Sequence, residues 1–315
     1  LSLLIGLLVV SSGVVSSAAV AIGAAAYLEV FVPLSPQILT ALVILLVGLV
    51  AVWGILESVA LAALFTVIEI GGLGLVVWFG LASDPAPIAN LIPPLEAGAW
   101  NGIVAAGLLA FFAFVGFEDI ANVAEEVKQP GRTLPRGIIL TLIIATLIYF
   151  TVVSVVVLVV PMSALVGSAA PLALIFESAG PQVSTLFSII AIIATVNGAL
   201  IQVIMASRVL YGLAAQGSLP AVLANVNGIT HTPLLATGLV VAIIFVLAYF
   251  LPIGELAEMT STIVLIVFAF VNMALLRLKW TGTPPTGDVF QVPFWVPVLG
   301  LLSSGGLLLA GYFLS

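Results

Sequence analysis

The chain has 315 residues, 63% of them hydrophobic and 6% charged, against roughly 25% charged in a soluble domain, so a single water-soluble core cannot hide its apolar surface. A net charge of -7 excludes nucleic acid as a partner, because that needs clustered Lys and Arg. No cysteine is present, which excludes disulfides, thiolate catalysis and Cys-ligated metals.

The remaining partner class is lipid. Apolar runs near 20 residues match a bilayer core of about 30 Å, and only helices or closed barrels satisfy the backbone there. Barrel strands alternate apolar and polar residues in runs of about ten, whereas the segment 137–160 is apolar on every face. An all-α polytopic membrane protein of about nine transmembrane helices follows. The chain starts at Leu1 with neither a basic leader nor a cleavage site, so no signal peptide is read and the start has the look of a fragment boundary.

The nine expected spans are 3–27, 38–53, 59–81, 101–123, 137–160, 185–210, 234–251, 256–276 and 296–313. Prolines break the pattern at Pro33 and Pro36, at Pro85 and Pro87 beside Asp84, and at Pro130 and Pro135. All six basic residues fall at junctions that nine alternating spans place on one side. Lys128, Arg132 and Arg136 follow the fourth span, Arg208 ends the sixth, and Arg277 and Lys279 follow the eighth. Basic residues mark the cytoplasmic face, so the amino end is cytoplasmic. The opposite loops hold Glu29, Asp84, Glu96, Glu177 and Glu255 without a basic residue.

Acidic groups at mid-membrane depth are functional by default, since a charge there costs several kcal/mol unless paired, hydrated or neutralised. Glu69, central in the third span, is therefore the candidate proton-coupling residue; the alternative is a neutral carboxyl that glues helices together. The fourth span holds Phe111, Phe112, Phe114 and Phe117 around Gly116, followed by Glu118. Either the glycine marks a helix interruption of the kind transporters place at the midplane, or this is an ordinary aromatic helix with one close neighbour, which spacing alone favours. The loop behind it carries Glu125, Glu126, Lys128, Arg132 and Arg136, a solvated topology signal or one half of a gate of ion pairs. In the sixth span Asn197 needs a hydrogen-bond partner, from the pathway or from a neighbouring helix. His231, the only histidine, falls in a loop and reads as solvated. No zinc-protease helix, nucleophile elbow or phosphate-binding loop is present, so an enzyme is not expected and neither a metal nor a cofactor is implied.

The run Phe-Phe-Ala-Phe-Val-Gly-Phe-Glu-Asp at 111–119, with Ala-Glu-Glu-Val-Lys-Gln-Pro-Gly-Arg-Thr-Leu-Pro-Arg at 124–136, resembles the sixth helix and following loop of the amino acid, polyamine and organocation permease superfamily. Residues 206–211 with 217–220 resemble the end of its eighth helix, and Thr232-Pro233 the start of its ninth. The resemblance covers the chain from about residue 3 and implies that the nine spans are family helices three to eleven, with helices one, two and twelve missing. It implies a transport domain of two inverted five-helix repeats: an incomplete first repeat at 1–81, a complete second at 99–278, and a peripheral helix at 294–315. By position, Phe112, Ala113 and Val115 line the substrate pocket and Gly116 permits the helix to break; Asn197 is a further substrate-binding candidate on the ground of its mid-span amide alone. Glu69 falls near a position where some members place a lysine that stands in for a coupling cation. From the charge pattern rather than the resemblance, Glu125, Glu126, Lys128 and Arg208 are the expected cytoplasmic gate.

The expected function is secondary active transport of an amino acid or related amine across the cell membrane, coupled to protons or by exchange. The competing reading is a membrane-embedded interaction or sensing module with no flux.

Overall fold

Without water at hand, a backbone amide finds its acceptor most cheaply four residues back, so long apolar runs become helices. A computed structural model describes residues 2–53, 59–282 and 290–314. Its α-helices are α1 (Ser2–Leu28), α2 (Pro36–Trp53), α3 (Val59–Ala82), α4 (Ala97–Phe112), α5 (Pro130–Val159), the short α6 (Met162–Gly167), α7 (Pro181–Ala215), α8 (Leu234–Phe250), α9 (Ile253–Trp280) and α10 (Trp295–Leu314). Four 3₁₀ segments, Ile88–Leu91, Phe117–Glu126, Pro171–Ala179 and Ala221–Ala224, lie between them. The described residues contain no strand. Among the described residues eight helices are long and apolar enough to cross a membrane, and the seventh expected span, α8, is an apolar helix of 17 residues. The molecule is a multi-pass, all-α membrane protein.

Two expectations need correction. The fourth span is not one continuous helix: α4 stops at Phe112, and the chain resumes as a 3₁₀ segment at Phe117. Pro135 does not interrupt anything, because α5 starts at Pro130 and carries Pro135 in its second turn. Proline at the first helical position gives up an amide that has no intrahelical partner anyway, and only one backbone bond is forfeited at Pro135.

The chain divides into two units. The second, Gly13–Pro93 with Leu147–Leu256, is organised around the 35-residue α7, which packs against α2, α3, α8 and the 3₁₀ segment Pro171–Ala179. That segment, in a stretch expected to be plain loop, supplies the fully buried Phe176. Its ring stacks on Phe187 of α7 at 4.5 Å and meets Phe79 of α3 edge-on at 5.4 Å, the offset and T-shaped geometries aromatic rings prefer. Val76, Val152 and Val156 complete this core.

Close approach of α3 to α5 depends on Gly80, where an added Cβ would lie 2.1 Å from Cγ1 of Val155. Val155 is buried and β-branched, so it has no spare rotamer to yield. Gly80→Ala is expected to destabilise the protein by about 1–3 kcal/mol, the usual range for overpacking. Thermal unfolding in detergent would show it as a lowered Tm, and an unchanged Tm would mean that α5 shifts without penalty.

The first unit, Leu1–Ser12 with Pro94–Thr146 and Ala257–Ser315, pairs α4 with α10. Gly107 faces Leu307 and Gly311 faces Leu108 in this pair. Small residues at such positions let helices pack where no hydrophobic force favours protein over lipid.

Candidate functional site

In the first unit, Phe112, Ala113, Val115 and Gly116 lie together at the interruption between α4 and the segment Phe117–Glu126. The last turn of α4 tightens before it stops: the amides of Ala113, Phe114 and Val115 donate to carbonyls three residues back, at 3.2, 3.0 and 3.1 Å. Gly116 then adopts φ 116 and ψ -19, left-handed territory that a Cβ makes costly. Its amide donates to Oε2 of Glu118 at 2.9 Å, and its carbonyl accepts from the amide of Asp119 at 3.1 Å. The helix is therefore interrupted and the chain pinned at one residue. Phe268 of α9 packs against both sides of the interruption, 6.0 Å from Phe111 and 5.6 Å from Phe117 between ring centroids. Phe112 and Val115 are half-buried, and Ala113 is exposed.

In the second unit, Nδ2 of Asn197 donates to Oε1 of Glu69 at 2.9 Å. Glu69 is the eleventh of 24 residues in α3 and Asn197 the seventeenth of 35 in α7, so both sit at the middle of their helices. Three residues beyond Glu69, Gly72 lets α7 come close: an added Cβ there would lie 2.6 Å from Cγ2 of Ile190. Rising residue numbers along α3 thus meet falling numbers along α7, and the helices run antiparallel. Tyr149 of α5 lies within electrostatic range of the Glu69 carboxylate.

Of the expected gate residues, Lys128 and Arg208 belong to different units. Lys128 is exposed just before α5, where its carbonyl accepts from Oγ1 of Thr133 at 2.9 Å, while Arg208 is exposed near the end of α7 in the other unit. The side chains of Glu125 and Glu126 lie outside the described residues. His231 is exposed, with φ 55, in a loop closed by Asn227, whose carbonyl accepts from the His231 amide. The neighbouring Thr232 donates to the carbonyl of Val52 at 2.8 Å, tying this loop to the end of α2.

Sequence reasoning missed the parts played by Glu118, Phe268 and Tyr149. Glu118 carried a signal, an acid two residues after a glycine inside an apolar span. Phe268 and Tyr149 carried none, being ordinary aromatics in apolar helices.

A mid-span carboxylate held by an amide from another helix, together with a span broken at a left-handed glycine, defines a multi-pass helical membrane protein with polar structure at the depth of the bilayer. The particular family follows from comparison with known proteins: the chain belongs to the amino acid permease family, whose model matches residues 1–314. It is 29% identical over 247 residues to the branched-chain amino acid permease BcaP of Bacillus subtilis, covering 78% of this chain and 52% of that protein. The cationic amino acid transporter 4, vacuolar, of Arabidopsis thaliana is 30% identical over 254 residues, covering 78% and 41%. The methylthioribose transporter of Bacillus subtilis is 29% identical over 266 residues, covering 84% and 56%. The chain spans about half the length of the curated relatives it matches.

Proposed function

We propose that this chain forms the core of a secondary transporter that moves an amino acid or related amine across the cell membrane by alternating access, coupled to protons or by exchange. The observation that carries the reading is the interruption at Ala113–Gly116. The end of α4 leaves carbonyl groups and the negative end of a helix dipole at the break, which suit an ammonium group, and broken helices of this kind hold substrates in transporters. Phe112, Ala113 and Val115 are assigned to the pocket wall, with Gly116 as the break itself. The relatives' names, a branched-chain amino acid permease and cationic amino acid transporters among them, support an amino acid as substrate.

Glu69 is assigned the coupling proton because it sits at mid-span with an uncharged hydrogen-bond partner, an arrangement that tolerates either protonation state. The repeat division at 1–81 and 99–278, and a cytoplasmic gate formed by Glu125, Glu126, Lys128 and Arg208, complete the proposal.

The test is uptake of pooled radiolabelled amino acids into proteoliposomes holding the protein expressed from its full open reading frame, with proton and sodium gradients imposed separately. Accumulation driven by the proton gradient is expected. Folded protein that gives neither accumulation nor exchange with either gradient would overturn the reading in favour of an interaction module.

A further inference from the structure

In the second unit α2 and α8 stand side by side as a wall, antiparallel and level at both ends. Thr232, just before α8, donates to the carbonyl of Val52 near the end of α2, at 2.8 Å. Further along, Gly48 admits Val241, whose Cγ2 lies 3.0 Å from where a Cβ on residue 48 would be. At the other ends Gln37 and Thr40 of α2 border a shallow groove with Ala248 and Tyr249 of α8. The long α7 packs against both helices.

The faces turned away from the protein are apolar from end to end. Ile38, Leu42 and Leu49 are exposed on α2, and Leu235, Leu239 and Val246 on α8. Both sets step by four residues and then by seven, which keeps them on one helix face. Thr40 and Thr237, the polar residues within these helices, are buried. Such a face on a membrane helix is solvated by acyl chains, and its height sets which chains fit.

That height is small. α2 has 18 residues and α8 has 17, so at 1.5 Å per residue they stand at most about 27 and 26 Å tall, against about 30 Å for an average hydrocarbon core. The shortness is local, because α7 behind them has 35 residues. Tilting cures a helix that is too long and worsens one that is too short. Snorkelling is closed as well: none of the six Lys and Arg lies on or beside α2 or α8. What is left to yield is the lipid.

We propose that the α2–α8 wall is a lipid-selective surface, which holds phospholipids whose chains match a core of about 26 Å or less in preference to those of an average bilayer. The surface is independent of the transport reading.

The test places a fluorophore on Leu46→Cys, on the exposed face of α2, in protein from the full open reading frame with any other cysteine replaced. Proteoliposomes contain a spin-labelled phosphatidylcholine that quenches the fluorophore on contact. Phosphatidylcholines with monounsaturated chains of fourteen to twenty-two carbons then compete for the wall, and recovered fluorescence gives their relative binding. The sixteen-carbon lipid is expected to displace the quencher roughly threefold better than the twenty- and twenty-two-carbon lipids, since mismatch costs only a little per ångström. An optimum at eighteen carbons or longer, or no dependence on length, would overturn the proposal. Leu239→Cys on α8 serves if Leu46→Cys does not fold. Absence of quenching at both positions would show the wall covered by protein, a second copy of this chain for example, and would also overturn it.

Discussion

Glu69→Gln is expected to lower proton-driven accumulation on the order of a hundredfold, the scale on which a positioned proton-transfer group acts, while exchange of internal for external substrate continues. The substitution separates charge from shape. Glutamine has nearly the volume of glutamate, and its Oε1 can still accept from Nδ2 of Asn197, so the contact now seen at 2.9 Å between α3 and α7 has an acceptor in the variant. What the amide cannot do is take up a proton and release it. Wild-type uptake should rise as the outside is acidified relative to the inside, and uptake by the variant should be flat across the same series. A variant that keeps the wild-type pH dependence would remove Glu69 from the coupling step. Asn197→Leu gives a useful contrast, since it leaves the carboxyl group without its partner and should destabilise the protein by about 1–3 kcal/mol, a structural penalty that Glu69→Gln avoids.

Gly116→Val should impair transport and stability together. Its φ of 116 and ψ of -19 lie outside the regions open to residues with a Cβ, and a β-branched side chain is the least tolerant of all. Holding a non-glycine residue in such a conformation costs of order 1–3 kcal/mol. The chain can avoid that cost by extending α4 through residue 116, which would remove the break, turn its carbonyls inward to helical amides and displace Glu118 from the Gly116 amide. Either way flux should fall at least about tenfold, since 1.4 kcal/mol at the binding step already corresponds to that factor. Gly102→Ala is the control: it lies in the same helix, and an added Cβ there meets nothing within 4 Å. If Gly116→Val transports as well as Gly102→Ala, the segment needs no break to work.

The location of Gly116 was legible before the geometry, but its conformation was not. Glycine in an apolar aromatic span is compatible with a continuous helix or with an interruption, and local spacing favoured the continuous one. What decides against it is a cluster of interactions around the break, namely the Glu118 carboxylate on the Gly116 amide and Phe268 reaching in from α9. Phe268 is more than 150 residues away in the chain. The loop before α7 was opaque for a related reason: Pro171–Ala179 has no helical period to read, and it becomes part of the core because Phe176 fits between Phe79 and Phe187.

The sequence by itself determined the all-helical, multi-span character of the protein, because a long apolar run in lipid has no low-energy alternative to bonding its own backbone. It also singled out Glu69, because a mid-span acid is expensive enough to need a reason. Only the tertiary structure decided which group answers Glu69, that a helix breaks at Gly116, and that α2 and α8 stand level, side by side. Those outcomes depend on which helix faces meet. Asn197 stands 128 residues from Glu69, and nothing in the periodicity of either helix specifies that their midpoints come together.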